Sequence, residues 1–267
     1  MPPSPMSEPS AEDPLQDLAV EDLRLVVTPG GLRPAEKVLP VSSGEVVRVP
    51  RRRRVTVRPD KGVLLDGTLR ANWIVAAYAT GPIVQDFSCD IVVPAAPAVR
   101  AGQLVYVFAG LQDEPTTMII QPVVQWGVPG EPAGWRLCSW LVDRQAGTAR
   151  PTQSVAVTPG TTVRARVRMV SRAGNRFLYQ CGFEGVPQTT LQASVPGMRT
   201  AVAVLEAYGM HGAPTYPPEP PIRFRQVSLA PQAAAGWAKQ DLVIDCGQHA
   251  EIVQAHPPCV FELHCRP

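Results

Sequence analysis

The stretch TMIIQPVVQWG, residues 117–127, has the apolar density of a buried strand and interrupts it with an amide. Met118, Ile119, Ile120, Val123 and Val124 call for a packed interior. Gln121 brings donors and acceptors that burial leaves unsatisfied unless partners are built around them. Alternate side chains of an extended chain point to opposite faces, so Ile119, Gln121, Val123 and Gln125 share one face and Met118, Ile120, Val124 and Trp126 the other. The segment TAVAVLEAYG, residues 200–209, repeats the pattern with a carboxylate: Val202, Val204, Glu206 and Tyr208 fall on one face. Each strand thus sets a polar group among apolar neighbours.

Similar short apolar runs recur at regular intervals on both sides: DFSCDIVVP (86–94), QLVYVFAGL (103–111), GWRLCSWLVD (134–143), SVAVTPGTTVRARVRMV (154–170), FLYQCGF (177–183), PIRFRQVSLA (221–230), DLVIDC (241–246) and CVFELHC (259–265). Thirty prolines and twenty-one glycines punctuate the chain too often for long helices. The pattern predicts an all-β fold with almost no helix, a jelly-roll β-sandwich of two antiparallel sheets.

The 267 residues suit one main domain, since large β-sandwiches reach this length as a single unit. A formal net charge of +2 with 18% charged residues removes the electrostatic case for a nucleic-acid partner. No apolar run approaches the roughly 20 residues that span a bilayer, and the opening MPPSPMSEPSAEDP has neither the basic nor the apolar region of a secretion signal. Residues 1–22 hold six acidic residues, no basic one, and much Pro and Ser, which predicts a disordered start. Residues 23–70 read as a strand-containing segment. Within it EVVRVPRRRRVTVRPD (45–60) is either a strand with a solvated arginine face or, at Arg51 to Arg54, a polybasic processing or anion-binding site.

A half-buried carboxylate must be hydrogen-bonded, and desolvation moves such a group toward proton-transfer chemistry; a glutamine beside it would hold a water or an oxyanion. A hydrogen-bonded structural pair is the plainer account of the same residues. Other chemistries are poorly supplied. Three of the four histidines, His249, His256 and His264, lie in the last twenty residues and His211 stands in a Gly-Pro-rich loop, far from a serine or cysteine nucleophile in the body of the fold. Six cysteines are scattered without the density of a disulfide scaffold. In the tail, Cys246, His249, His256 and Cys259 have a mirrored spacing that would close a zinc site across a hairpin, or simply mark the hairpin. No other metal and no cofactor is called for.

Taken in order along the chain, these segments resemble the glutamic peptidases of the eqolisin type, secreted enzymes with a lectin-like β-sandwich and a catalytic glutamine and glutamate. Asn72-Trp73 in RANWIVAAY looks like the family's early Asn-Trp, and FSCDIVVP is similar to its following strand ending in Val-Pro. VFAGLQD resembles Trp-Val-Gly-Ile-Asp-Gly, and IIQPVVQW resembles Ile-Leu-Gln-Thr-Gly-Phe-Asp-Trp, which lays the catalytic glutamine on Gln121. LCSW looks like Trp-Tyr-Glu-Trp with Trp140 retained, and AVAVLEAY resembles Ala-Glu-Phe-Ile-Ile-Glu-Asp-Phe, laying the catalytic glutamate on Glu206. The likeness covers roughly residues 70 to 265, and the order of the motifs carries it. Three family acids are replaced, by Gln112, Gln125 and Ser139.

The resemblance implies an endopeptidase acting on polypeptide substrates within residues 71–267. Glu206 activates a water and Gln121 stabilises the oxyanion, with Trp126, Trp140, Tyr208, Gln112 and Gln125 lining the substrate cleft. It also implies secretion, for which this sequence displays no signal, and it makes residues 23–70, with Arg51 to Arg54 just before Asn72, either a basic propeptide or a permanent extension of the sandwich. The alternative is a non-catalytic lectin-like sandwich that binds carbohydrate or protein through the same aromatic residues.

Overall fold

The computed structural model describes residues 72–128, 131–233, 236–242 and 246–266, together with four short strands nearer the N-terminus. Those four are β1 (Leu25–Thr28), β2 (Gly31–Pro34), β3 (Val55–Arg58) and β4 (Gly62–Leu65), paired as two antiparallel hairpins. The acidic stretch 1–22 and the run Arg51 to Arg54 lie outside the described residues.

From Asn72 onward the strands follow one another with short connections. They are β5 (Asn72–Thr80), β6 (Asp86–Val92), β7 (Leu104–Asp113), β8 (Met118–Trp126), β9 (Trp135–Asp143), β10 (Thr148–Pro151), β11 (Val155–Val157) and β12 (Thr162–Ala173). The remainder are β13 (Arg176–Phe183), β14 (Val186–Val195), β15 (Met198–Tyr208), β16 (Ile222–Ala230), β17 (Ala238–Asp241), β18 (His249–Gln254) and β19 (Cys259–His264). The helical content among the described residues is a single 3-10 turn, Ala213–Thr215, and no helix there is long and apolar enough to cross a membrane.

Two antiparallel sheets result. The first is eight-stranded, in the order β10-β9-β8-β7-β15-β5-β17 with β11 also on β9; the second runs β14-β13-β12-β6-β16-β19-β18. The fold is therefore an all-β sandwich with the layering that the period-2 pattern predicts. Its core lies between the sheets. From the first come Val105, Val107, Ile120, Val124, Ala203 and Leu205, and from the second Phe87, Cys89, Ile91, Val167, Tyr179 and Phe261, all buried. In β12, Val163, Ala165 and Val167 turn inward, while Arg164 and Arg166 turn outward onto the acids of β6, Arg164 Nη1 to Asp90 Oδ1 at 2.9 Å and Arg166 Nη2 to Asp86 Oδ2 at 2.6 Å, and Arg168 turns outward onto Gln180.

The first sheet also carries a second apolar cluster on its other face, made by Ala76, Leu104, Tyr106, Phe108, Ile119, Val123, Cys138, Trp140, Val142, Val202, Val204 and Tyr208. This face holds the polar intruders that the sequence singles out.

Candidate functional site

Alternation in three neighbouring strands fixes which side chains meet on that outer face. The β7–β15 register pairs Tyr106 with Glu206, Phe108 with Val204, Gly110 with Val202 and Gln112 with Thr200. The β7–β8 register pairs Tyr106 with Gln125, Phe108 with Val123 and Gln112 with Ile119, and the ladder is interrupted around Pro122, which has no N–H to give. The β8–β9 register pairs Gln121 with Trp140 and Gln125 with Arg136. Read across the sheet, one row is Trp73, Glu206, Tyr106, Gln125 and Arg136. Two rows along, Tyr78, Val202, Gly110, Gln121 and Trp140 lie side by side.

Glu206 is 1% exposed and accepts a short hydrogen bond at Oε1 from the hydroxyl of Tyr208, its same-face neighbour. Tyr106 beside it is fully buried; burial first, and then the Glu206 charge, push its phenol well above the ordinary value, so it stays protonated. Gln125, 1% exposed, accepts at Oε1 from Trp140 Nε1 at 3.1 Å. That bond settles which end of the amide is which, and it leaves Nε2 as the end that donates elsewhere. Gln121 is equally buried, and its Oε1 has no hydrogen-bond partner.

The glutamines stand at different distances from the carboxylate. Gln125 and Glu206 share a row two strands apart, about 10 Å between Cα atoms at the usual strand spacing. Gln121 is also two strands away and four residues farther along, about 16 Å on the same flat-sheet geometry. The register thus sets Gln125 nearer to Glu206 than Gln121, the residue on which the family motif lays the catalytic amide. Gly110 lies against Gln121 because a Cβ there would come within 2.9 Å of the Gln121 Cβ.

The other expected cleft residues divide between the faces. Trp140 and Tyr208 belong to the outer cluster, and Gln112 lies one row beyond Gln121. Trp126 does not join them. It points into the core between the sheets, 5.4 Å from the Trp135 ring centroid, because it follows Gln125 by one residue and alternation turns it over. Ser139 is turned the same way, between Cys138 and Trp140 of the outer face, and is fully buried. Three residues not counted among the expected cleft residues stand on the outer face: Tyr106, Phe108 and Trp73, the last edge-on to Phe108 with centroids 6.0 Å apart. The signal for Tyr106 and Phe108 was present in QLVYVFAGL, where they and Gly110 fall on one face once Glu206 fixes which face matters.

No thiol competes for a nucleophilic role here. Cys138 Sγ bonds to Thr152 O at 3.3 Å, and burial pushes the thiol up to about 12. A recess of about 400 Å³ lies elsewhere, on the outer face of the second sheet, among Arg166, Arg168, Gln180, Gly182 and Glu184. Arg166 is paired there with Asp86 and Glu184, and Arg168 with Gln180, so it is a lined salt-bridge groove apart from the glutamate.

No family model matches the chain, and no curated protein matches it. Solved structures with a similar chain path include scytalido-glutamic peptidase bound to a peptide-based transition state analogue, at 12% identity and a TM-score of 0.47, covering 73% of this chain and 98% of that one. SCP-B, a member of the eqolisin family of peptidases in complex with the tripeptide Ala-Ile-His, has a TM-score of 0.46 at 12% identity with the same coverage. The carbohydrate-binding module CBM66 from Bacillus subtilis has a TM-score of 0.28 at 8% identity, over 59% of this chain and 88% of that one.

Proposed function

We propose that this chain hydrolyses peptide bonds with Glu206 as the proton-transferring carboxylate and a buried glutamine amide as the oxyanion donor. The observation that carries the reading is the row Glu206, Tyr106, Gln125, in which a carboxylate held by Tyr208 lies two strands from an amide whose oxygen is already taken by Trp140. Gln125 is the nearer amide and takes the donor role; Gln121, in a separate row, serves the bound chain. Glu206 as carboxylate takes a proton from a water, and the water oxygen attacks the scissile carbonyl carbon. The developing oxyanion accepts from the amide Nε2–H, and Glu206 returns its proton to the leaving amine as the C–N bond breaks. The ordered resemblance of residues 70 to 265 to glutamic peptidases supports the same chemistry. Residues 71–267 form the catalytic unit in this reading, polypeptide is the substrate, and residues 23–70 cover or extend it.

Incubation of the full chain with a denatured protein between about pH 2 and 7, beside Glu206→Gln, tests the proposal. Cleavage by the parent and none by the variant is expected. Equal cleavage by both would end the carboxylate mechanism. Cleavage by neither turns attention to a non-catalytic binding role for the aromatic set Trp73, Tyr78, Trp140 and Tyr208, checked by binding of oligosaccharides and peptides.

A further inference from the structure

We propose that the outer face of the C-terminal hairpin is a zinc site in which His264, Glu251 and Glu262 hold the ion. The sequence spacing in this tail singles out Cys246, His249, His256 and Cys259, and the fold assembles a different set. Glu251 on β18 stands opposite Glu262 on β19, and His249 stands opposite His264 in the next row on the same side of the sheet. One donor atom each from Glu251, Glu262 and His264 lies within 4.8 Å of the others, the group of this kind found among the described residues.

The geometry within the set points to an ion rather than to simple pairing. His264 Nε2 is buried and has no hydrogen-bond partner. Two carboxylate oxygens converge on it, Glu262 Oε2 at 3.7 Å and Glu251 Oε2 at 3.8 Å, both too far for a hydrogen bond. A tetrahedral zinc with bonds of about 2.0–2.2 Å to nitrogen and oxygen needs its donors about 3.3–3.5 Å apart, a contraction of a few tenths of an ångström from the 3.7 and 3.8 Å between the imidazole and each carboxylate. One imidazole and two carboxylates form a hard-to-borderline set that suits zinc, with the fourth position left to water.

Outer partners already hold the donors in place. Arg223 Nε donates to Glu262 Oε1 at 2.6 Å, which leaves Oε2 as the atom turned toward His264. The ring of His249 stacks on that of His264, 4.2 Å between centroids and 5° from parallel, and fixes its plane. Such outer contacts orient ligands in known metal sites. The ion would clamp β18 to β19 where the two sheets meet at their edges, since Ala250 N donates to Asp241 Oδ1 at 2.7 Å and Lys239 Nζ donates to Ala250 O at 2.9 Å.

Zinc added to the chelator-stripped full chain and followed by calorimetry and melting tests the site, independently of any peptidase activity. Uptake of one equivalent with a rise in melting temperature is expected, weakened at least about tenfold by Glu251→Gln, whose side chain is 57% exposed and whose change leaves the fold intact, and by His264→Asn. Cobalt in place of zinc should give a spectrum with no thiolate charge-transfer band, and Cys246→Ser and His256→Asn should bind as the parent does. No stoichiometric uptake, or uptake indifferent to Glu251→Gln, overturns the proposal; loss in Cys246→Ser with a thiolate band moves the site to the cysteine–histidine quartet.

Discussion

Gln125 and Gln121 look alike in the sequence, two amides four residues apart on one strand face, and the fold separates them. The first shares a row with Glu206 and has its oxygen taken by Trp140; the second stands beside Gly110 with its oxygen unpaired. If the proposed mechanism holds, Gln125→Ala should lower kcat by about a hundredfold to a thousandfold, as expected for a lost oxyanion donor. Gln121→Ala should act mainly on KM, and the two kinetic parameters measured for each variant decide it. A kcat loss in Gln121→Ala with kcat unchanged in Gln125→Ala would return the catalytic role to Gln121. The motif reading laid the catalytic pair on Gln121 and Glu206. It had no access to the β7–β15 and β7–β8 registers, which only long-range pairing fixes, and so could not tell which glutamine shares a row with the carboxylate.

At the scale of the element, alternation was legible wherever one face of a strand is apolar and the other polar. It gave β8 and β15 with their faces. It missed β14, where Thr189, Leu191, Ala193 and Val195 are buried in alternation with exposed Thr, Gln and Ser, because the inward positions begin with a threonine and the outward ones are turn-like in composition. It also read SVAVTPGTTVRARVRMV as one strand; Pro159 and Gly160, the latter at φ +82°, break it into β11 and β12. Two glycines set limits on the strands around the site. Gly110→Ala puts a Cβ 2.9 Å from the Gln121 Cβ and 3.2 Å from Ile120 O, inside a packed row, and should cost about 1–3 kcal/mol. Gly127→Ala, at φ +78° with a Cβ 2.1 Å from Gln103 O, adds left-handed backbone strain to a collision with main chain and should cost more. Denaturant midpoints of the two variants check both the losses and their order.

The whole molecule is a sandwich whose interior holds thiols that no disulfide engages. None of the six cysteines is cross-linked, and the sequence, with an even but scattered set, could not say so. Burial raises Cys138, Cys181 and Cys265 from 9.0 to about 12, and pushes Cys89 higher still. Below pH 9 these groups are protonated in both the folded and the unfolded chain and leave stability unaffected by pH. Between pH 9 and about 12 the unfolded chain loses protons that the folded one keeps, so the unfolded state gains and stability falls as pH rises, by up to about 1.4 kcal/mol per pH unit for each thiol. Denaturant midpoints should therefore hold steady up to about pH 9 and then fall steeply. Replacing the fully buried Cys181 with Ala should leave a lower but flatter curve, because one titrating group is gone while a small cavity remains. A curve equally steep in that variant would show that the thiols are not what destabilises the sandwich in alkali.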